Sequence, residues 1–251
     1  MKRIKLTVAY DGTNYHGWQI QPNAITVEGE LNKAISELTG EHIEVIGASR
    51  TDAGVHALGN VAVFDTESRI PGEKFSYALN QRLPEDIIIQ SSEEVALDFH
   101  PRYQECRKTY EYTILNRKFP LPEYRNTAHF DYDFAGFCSA GAQVKTTVRT
   151  IYSLEVECIE LGKTKPDCAK SEDLSAGTDK QKENDRLIRI RVNGNGFLYN
   201  MVRIIAGTLL EVGKENIPSE KMGEIIASTD RAKSGPTAPA RGLKLVEIRY
   251  V

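Results

Sequence analysis

Apolar and polar residues alternate near the start of the chain, where Ile4, Leu6, Val8 and Tyr10 are separated by Lys5, Thr7 and Ala9. A period of two predicts a strand with one buried face, ended by Asp11-Gly12. From Thr26 the period changes. Val27, Leu31, Ala34, Ile35 and Leu38 recur at helical spacing behind a Thr26 cap, and Gly40 stands where a helix commonly stops. Strands at 43–48 and 60–65 follow, then a helix opened by Pro71 that carries Phe75, Ala78 and Leu79, then a strand around 87–89. The order β-α-β-β-α-β is the split βαβ arrangement of ferredoxin-like domains, an antiparallel sheet with helices on one face.

The second half nearly repeats this order, with strands at 108–115, 151–158, 187–192 and 243–250, a helix at 198–212 and a shorter one at 219–227. One helix of the repeat is missing. Within 116–150, where it should fall, 125–150 has no sustained apolar run at helical spacing, and Gly136 and Gly141 oppose one. The segment at about 160–186 alternates charged residues with Ser, Gly and Thr, and reads as a long mobile insertion between two strands. The expected class is α+β, two ferredoxin-like halves with antiparallel sheets, divided into residues 1–104 and 105–251.

Composition narrows the partners. The chain has 251 residues, 40% of them hydrophobic, which is enough for one large or two modest cores. Its start lacks the apolar centre of a signal peptide, and no stretch has ~18 consecutive apolar residues, so a soluble cytoplasmic protein with no membrane partner is expected. Cys106, Cys138, Cys158 and Cys168 form no Cys-x-x-Cys pair, and His16, His42, His56, His100 and His129 show no metal-ligand spacing, so no metal is expected. A net charge of -3 argues against coating nucleic acid with the whole surface, yet allows a local basic cleft. Arg102, Arg107, Lys108, Arg117, Lys118 and Arg125 are interleaved with Tyr103, Tyr110, Tyr112 and Phe119, a mixture suited to backbone contacts and base stacking, or to a solvated strand surface.

Asp52 lies two residues from Arg50 in a Gly-containing loop between two strands, a usual place for function. From spacing alone, an Asx turn explains it as well. No Gly-x-Ser-x-Gly elbow or phosphate-cradling loop is present, and a two-carboxylate glycoside hydrolase would need a partner such as Asp11.

Four segments resemble, in order, the signatures of TruA-type tRNA pseudouridine synthases. They are Tyr10-Asp11-Gly12-Thr13-Asn14-Tyr15-His16-Gly17-Trp18-Gln19, Arg50-Thr51-Asp52-Ala53-Gly54-Val55-His56-Ala57, Gly196-Phe197-Leu198-Tyr199-Asn200-Met201-Val202-Arg203 and Ala238-Pro239-Ala240-Arg241-Gly242-Leu243. Together they extend over nearly the whole chain. The resemblance implies an isomerase that converts uridine to pseudouridine in the tRNA anticodon arm, at positions 38 to 40, as a homodimer and without a cofactor. It makes Asp52 the catalytic residue. Arg203 would keep Asp52 ionised, and Arg50 would help displace the target base from its stack. Tyr110, in Arg107-Lys108-Thr109-Tyr110-Glu111-Tyr112, would lie on the target base and assist proton removal from C5, and Leu243 would pack on its other side. Periodicity alone would make Tyr110 and Leu243 core residues and Arg203 a surface residue of an apolar helix. Trp18 and Gln19 are expected to support structure rather than catalysis.

The chain departs from that family at the missing helix. Members usually carry about two dozen more residues between the segments resembling Ala128-His129-Phe130 and Asp133-Phe134-Ala135-Gly136-Phe137-Cys138-Ser139, whereas 160–186 is longer than the hairpin expected there. A helix face is worth several kcal/mol at ~25 cal/mol per Å², so another segment must cover the second sheet, a dimer must, or activity is weakened. The alternatives to the enzyme are a noncatalytic or degenerate RNA-binding member of the same fold and an aspartate-dependent hydrolase.

Overall fold

A computed structural model describes residues 1–117, 119, 121–124, 127–130, 149–161, 185–228 and 230–251. Its first strand, β1 (Lys2–Tyr10), has the predicted alternation: Ile4, Leu6 and Val8 are fully buried and the residues between them are not. Helix α1 (Val27–Thr39) opens with the Thr26 hydroxyl accepting from the Gly29 amide at 3.2 Å and closes at a left-handed Gly40. Val27, Leu31 and Ile35 are fully buried. Burying each such side chain stabilises by ~1.5–3 kcal/mol, which anchors a helix too short to persist alone.

The predicted strand at 43–48 shrinks to β2 (Ile46–Gly47). The Ile43 amide donates to Ser36 Oγ and the Val45 amide to Asn32 Oδ1, so side chains of α1 replace the sheet ladder there. The next strand, β3 (His56–Thr66), begins four residues earlier than its hydrophobic run. Pro71 leads a 3-10 turn (Gly72–Lys74) and only a five-residue α2 (Phe75–Leu79), which ends where the Asn80 amide group pairs with both backbone atoms of Ile89. That residue belongs to β4 (Ile87–Val95), whose polar end continues beyond the predicted span because it pairs with β1 at the sheet edge.

In the second half come β5 (Cys106–Asn116), β6 (Ala128–Phe130), β7 (Ile151–Glu160), β8 (Arg186–Gly194), α3 (Met201–Gly213), α4 (Met222–Ser228) and β9 (Leu243–Tyr250). The last strand has the predicted bounds. Helix α3 starts three residues late because Asn200 is left-handed, with φ of 57°. The expected missing helix concerns 116–150, of which 131–148 lie outside the described residues, as do 162–184 of the insertion. At the insertion's ends, Glu160 pairs with Arg186, so those residues belong to the β7–β8 hairpin. Leu154 and Val156 of β7 are exposed, on the face shared with Val192 and Ile190.

Both halves have one strand order. The first runs β4-β1-β3 with β2 on the far end of β3, and the second runs β9-β5-β8-β7, so each is the fourth, first, third and second strand of its own repeat. Within each half the strands of this order pair antiparallel. The two sheets are not separate. Strand β9 pairs parallel with the near end of β3, through His56 with Lys244 and Ala57 with Leu245, and makes one continuous sheet. Together with the pairing of Ala57 with Tyr10 of β1, it accounts for the early start of β3. Among the described residues no helix is long and apolar enough to cross a membrane.

Helix α3 meets the segment before β9 at backbone distance. A Cβ on Gly207 would lie 1.8 Å from the Pro236 carbonyl oxygen, which cannot move without shifting the segment. Gly207→Ala should therefore cost ~1–3 kcal/mol or more. Urea denaturation checks this, and an unchanged midpoint would contradict the close packing.

Candidate active site

The loop 49–55 is moulded by the first signature. Tyr10 and Thr51 share a hydrogen bond of 2.7 Å between their hydroxyls, the Trp18 amide donates to the Thr51 carbonyl at 3.0 Å, and Asn60 Nδ2 donates to the Ser49 carbonyl at 3.1 Å. Gly17 has φ of +89° and lies so near that a Cβ would be 2.6 Å from the Thr51 carbonyl oxygen. Trp18 is fully buried, and its indole N–H donates to Glu28 Oε1 at 3.3 Å. Its supporting role is structural, whereas Gln19 is exposed on a cleft rim. Within the loop, the Val55 amide closes a turn on the Asp52 carbonyl and leaves the Asp52 side chain at the surface of the cleft.

Arg203 reaches Asp52 from the first turn of α3. Its Nε donates to the Ala238 carbonyl at 2.8 Å and its Nη1 to Asn200 Oδ1 at 2.7 Å, while the Ala238 amide donates back to the Arg203 carbonyl. Held in this way, Nη1 stands 3.5 Å from Asp52 Oδ2. That distance is the outer limit of a hydrogen bond, so the attraction is mainly between charges. Asp52 retains 25% of its side-chain exposure and Arg203 17%, so the pair is only partly screened by water. Burial pushes the Asp52 carboxyl above its ordinary range, and the charge and hydrogen bond of Arg203 only partly offset it.

A cleft of about 900 Å³ is lined by Asp52, Arg50, Tyr110 and Leu243, so four of the five residues singled out in the sequence meet there. The fifth, Arg203, stands behind Asp52. Tyr110 and Leu243 are both buried, and Tyr110 meets the Phe197 ring edge-on with centroids 5.1 Å apart. Burial pushes the Tyr110 phenol up to about 12, the polar Ser49 side chain opposes this, and the Asp52 charge adds to it. Arg50 is exposed on the rim. Asp11, the other carboxylate considered, accepts from Thr13 and approaches His56, and it does not line the cleft.

The basic and aromatic stretch divides. Arg102 and Lys108 line the cleft with Arg50, giving it local positive charge on a net acidic chain. Arg107 lies over the Tyr152 ring at 4.6 Å, and Arg117 pairs with Asp185 at 3.1 Å. Tyr112 is core, its hydroxyl donating to the Pro239 carbonyl. Lys118 and Arg125 lie outside the described residues. Cys106 and Cys158 are free thiols, while Cys138 and Cys168 lie outside the described residues. Sequence reasoning missed Asn200, which orients Arg203. Its only signal was a place in the third signature.

The fold and cleft define a class: an α+β protein of two ferredoxin-like halves with a paired aspartate and arginine at their junction. A family model described as tRNA pseudouridine synthase matches residues 6–104 and 131–251. A protein named tRNA pseudouridine synthase A from Ruminiclostridium cellulolyticum is 46% identical, and one of the same name from Acetivibrio thermocellus 45% identical, each over 269 aligned positions that cover 100% of both chains. A further one from Brevibacillus brevis is 41% identical over the same span. The chain belongs to the tRNA pseudouridine synthase family and is an isomerase. The alignments run to 269 positions although the chain has 251 residues, so these relatives carry residues that it lacks.

The raised Asp52 pKa makes the folded state hold this proton more tightly than the unfolded chain does. Stability therefore falls as pH rises from the ordinary carboxylate range through the raised value. Asp52→Asn, which mimics the neutral form, should raise the melting temperature at neutral pH, and the gain should vanish below about pH 4. Equal melting temperatures at neutral pH would contradict this.

Proposed function

We propose that the protein isomerises uridine to pseudouridine in the anticodon arm of tRNA, at positions 38 to 40, with Asp52 as the catalytic residue. The observation that carries the reading is the Asp52–Arg203 pair, whose carboxylate opens onto a cleft walled by Tyr110 and Leu243. The reaction breaks the N1–C1′ bond with the electron pair going to uracil. The base turns and C5 bonds to C1′, C5 loses its proton to a base, and N1 gains one. An ionised carboxylate serves either by attacking C1′ or by taking the C2′ proton toward a glycal. In both cases Arg203 supports the ionised form against burial.

Tyr110 and Leu243 then hold the uracil from its two sides, and in this reading the Tyr110 oxygen assists loss of the C5 proton. Arg50, on the rim, helps displace the base from its stack. In this reading residues 1–104 supply Asp52 and Arg50, and residues 105–251 supply Arg203, Tyr110 and Leu243, so both domains act on one uridine. We further propose a cytoplasmic homodimer that binds tRNA across both subunits. A noncatalytic RNA-binding member is the alternative, and the retained pairing of Asp52 with Arg203 speaks against it.

Unmodified tRNA carrying C5-tritiated uridine should release tritium with the wild-type protein and none with Asp52→Ala. Arg203→Met should slow release ~100-fold or more. Release that survives Asp52→Ala would remove Asp52 from the mechanism, and tight tRNA binding without release by the wild type would favour the noncatalytic reading.

A further inference from the structure

We propose that Arg102 and Lys108 seat one backbone phosphate of the RNA, one of the two that flank the target uridine; the site rests on the function proposed above. Both side chains line the cleft, and both are held by adjacent peptide groups of the first half. Arg102 Nε donates to the Gly47 carbonyl at 2.6 Å, and the Lys108 ammonium donates to the Ala48 carbonyl at 3.1 Å and to Ser49 Oγ at 2.9 Å. Two like charges are thus brought side by side, where each opposes the other.

Among the described residues no carboxylate pairs with Arg102 or Lys108. Asp52 is the one carboxylate among the described residues that line the cleft, and Arg203 already pairs with it. Burial and, in smaller part, the Arg102 charge pull the Lys108 pKa down, with Cys106 opposing them. A like-charged pair that no carboxylate answers points to an anion that completes it. The Lys108 bonds also tie β5 to the loop that carries Asp52, and so join the two halves. That tie does not account for Arg102, whose partner Gly47 lies in its own half and which adds the second charge.

The donors suit a phosphate. An ammonium has a further N–H after Ala48 and Ser49 are served, and Arg102 keeps both terminal amino groups of its guanidinium, which have no partner among the described residues. A guanidinium fork beside a compact positive charge matches phosphate oxygens. Because backbone carbonyls already fix both heads, little ordering is left for binding to impose. Position then selects the phosphate. Lys108 precedes Tyr110 by two residues on one face of β5, about 7 Å along the strand. With the target base on Tyr110, a phosphate at Lys108 is the one that leads into that nucleotide or the one that leaves it.

The test uses unmodified anticodon arms in which the phosphate on the 5′ or the 3′ side of the target uridine is replaced by an uncharged methylphosphonate. Kd is measured with the Asp52→Ala protein, alone and with Arg102→Gln or Lys108→Met added, and pseudouridine formation is measured with the wild type. On the all-phosphate arm each added substitution should raise Kd roughly 10-fold and lower the slope of log K against log salt by about 0.7 to 1. On one of the two methylphosphonate arms the same substitutions should change Kd less than about 2-fold, because the charge they answer is gone. If Lys108→Met loosens the fold, Arg102→Gln decides, since its Gly47 bond does not join the halves. Equal losses on all three arms, or an unchanged Kd on the all-phosphate arm, would overturn the phosphate seat. Pseudouridine made by the wild type would then leave the proposed function standing. A wild type that makes none would overturn that function and this site with it.

Discussion

Two rungs of parallel pairing, His56 with Lys244 and Ala57 with Leu245, hold the halves of this protein in one sheet. They fall directly after the loop that carries Asp52 and directly after Leu243, so the pairing that joins the sheets also fixes which loops face one another. His56 Nε2 lies 3.3 Å from the Arg241 carbonyl and strengthens the same junction. A slip of one residue would turn Leu243 from the cleft to the other face of the sheet. The segment 235–242 then transmits the register to α3, because Ala238 exchanges hydrogen bonds with Arg203 and the Gly235 amide donates to Thr208 Oγ1.

The site is built against a local electrostatic cost. Asp52 is buried enough that its charged form is disfavoured, and Arg203 restores only part of that stability because Asn200 and the Ala238 carbonyl also claim its guanidinium. A bidentate pair would hold the carboxylate more tightly and leave it less able to react. The 3.5 Å separation keeps the charge supported and its oxygens available. Lys108 is a second cation in the same cleft, its ammonium donating to Ser49 Oγ and to the Ala48 carbonyl.

Much of the fold was legible because it is local. The Thr26 cap, the Gly40 stop and the alternation of Ile4, Leu6 and Val8 each depend on neighbours in sequence. What was not legible depends on distant partners. Strand β2 is short because Asn32 and Ser36 take the amides of Val45 and Ile43, and β3 begins early because β1 on one edge and a strand nearly 190 residues away on the other both reach its first residues. The site divides in the same way. Asp52, Arg50, Tyr110, Leu243 and Arg203 were selected by resemblance, since periodicity would have assigned Tyr110 and Leu243 to the core, where burial does place them. Asn200 carried no signal of its own because its use is set by a left-handed backbone and by Arg203.

The central claim, that one uridine is engaged by both halves at Asp52, is tested most directly by a structure of the Asp52→Asn variant bound to unmodified tRNA anticodon arm. The account predicts a single uridine turned out of its stack, its base between Tyr110 and Leu243 and its C1′ or C2′ position within ~3–3.5 Å of the residue 52 side chain. A bound anticodon arm with every uridine stacked, or a turned-out base seated away from residue 52, would contradict it.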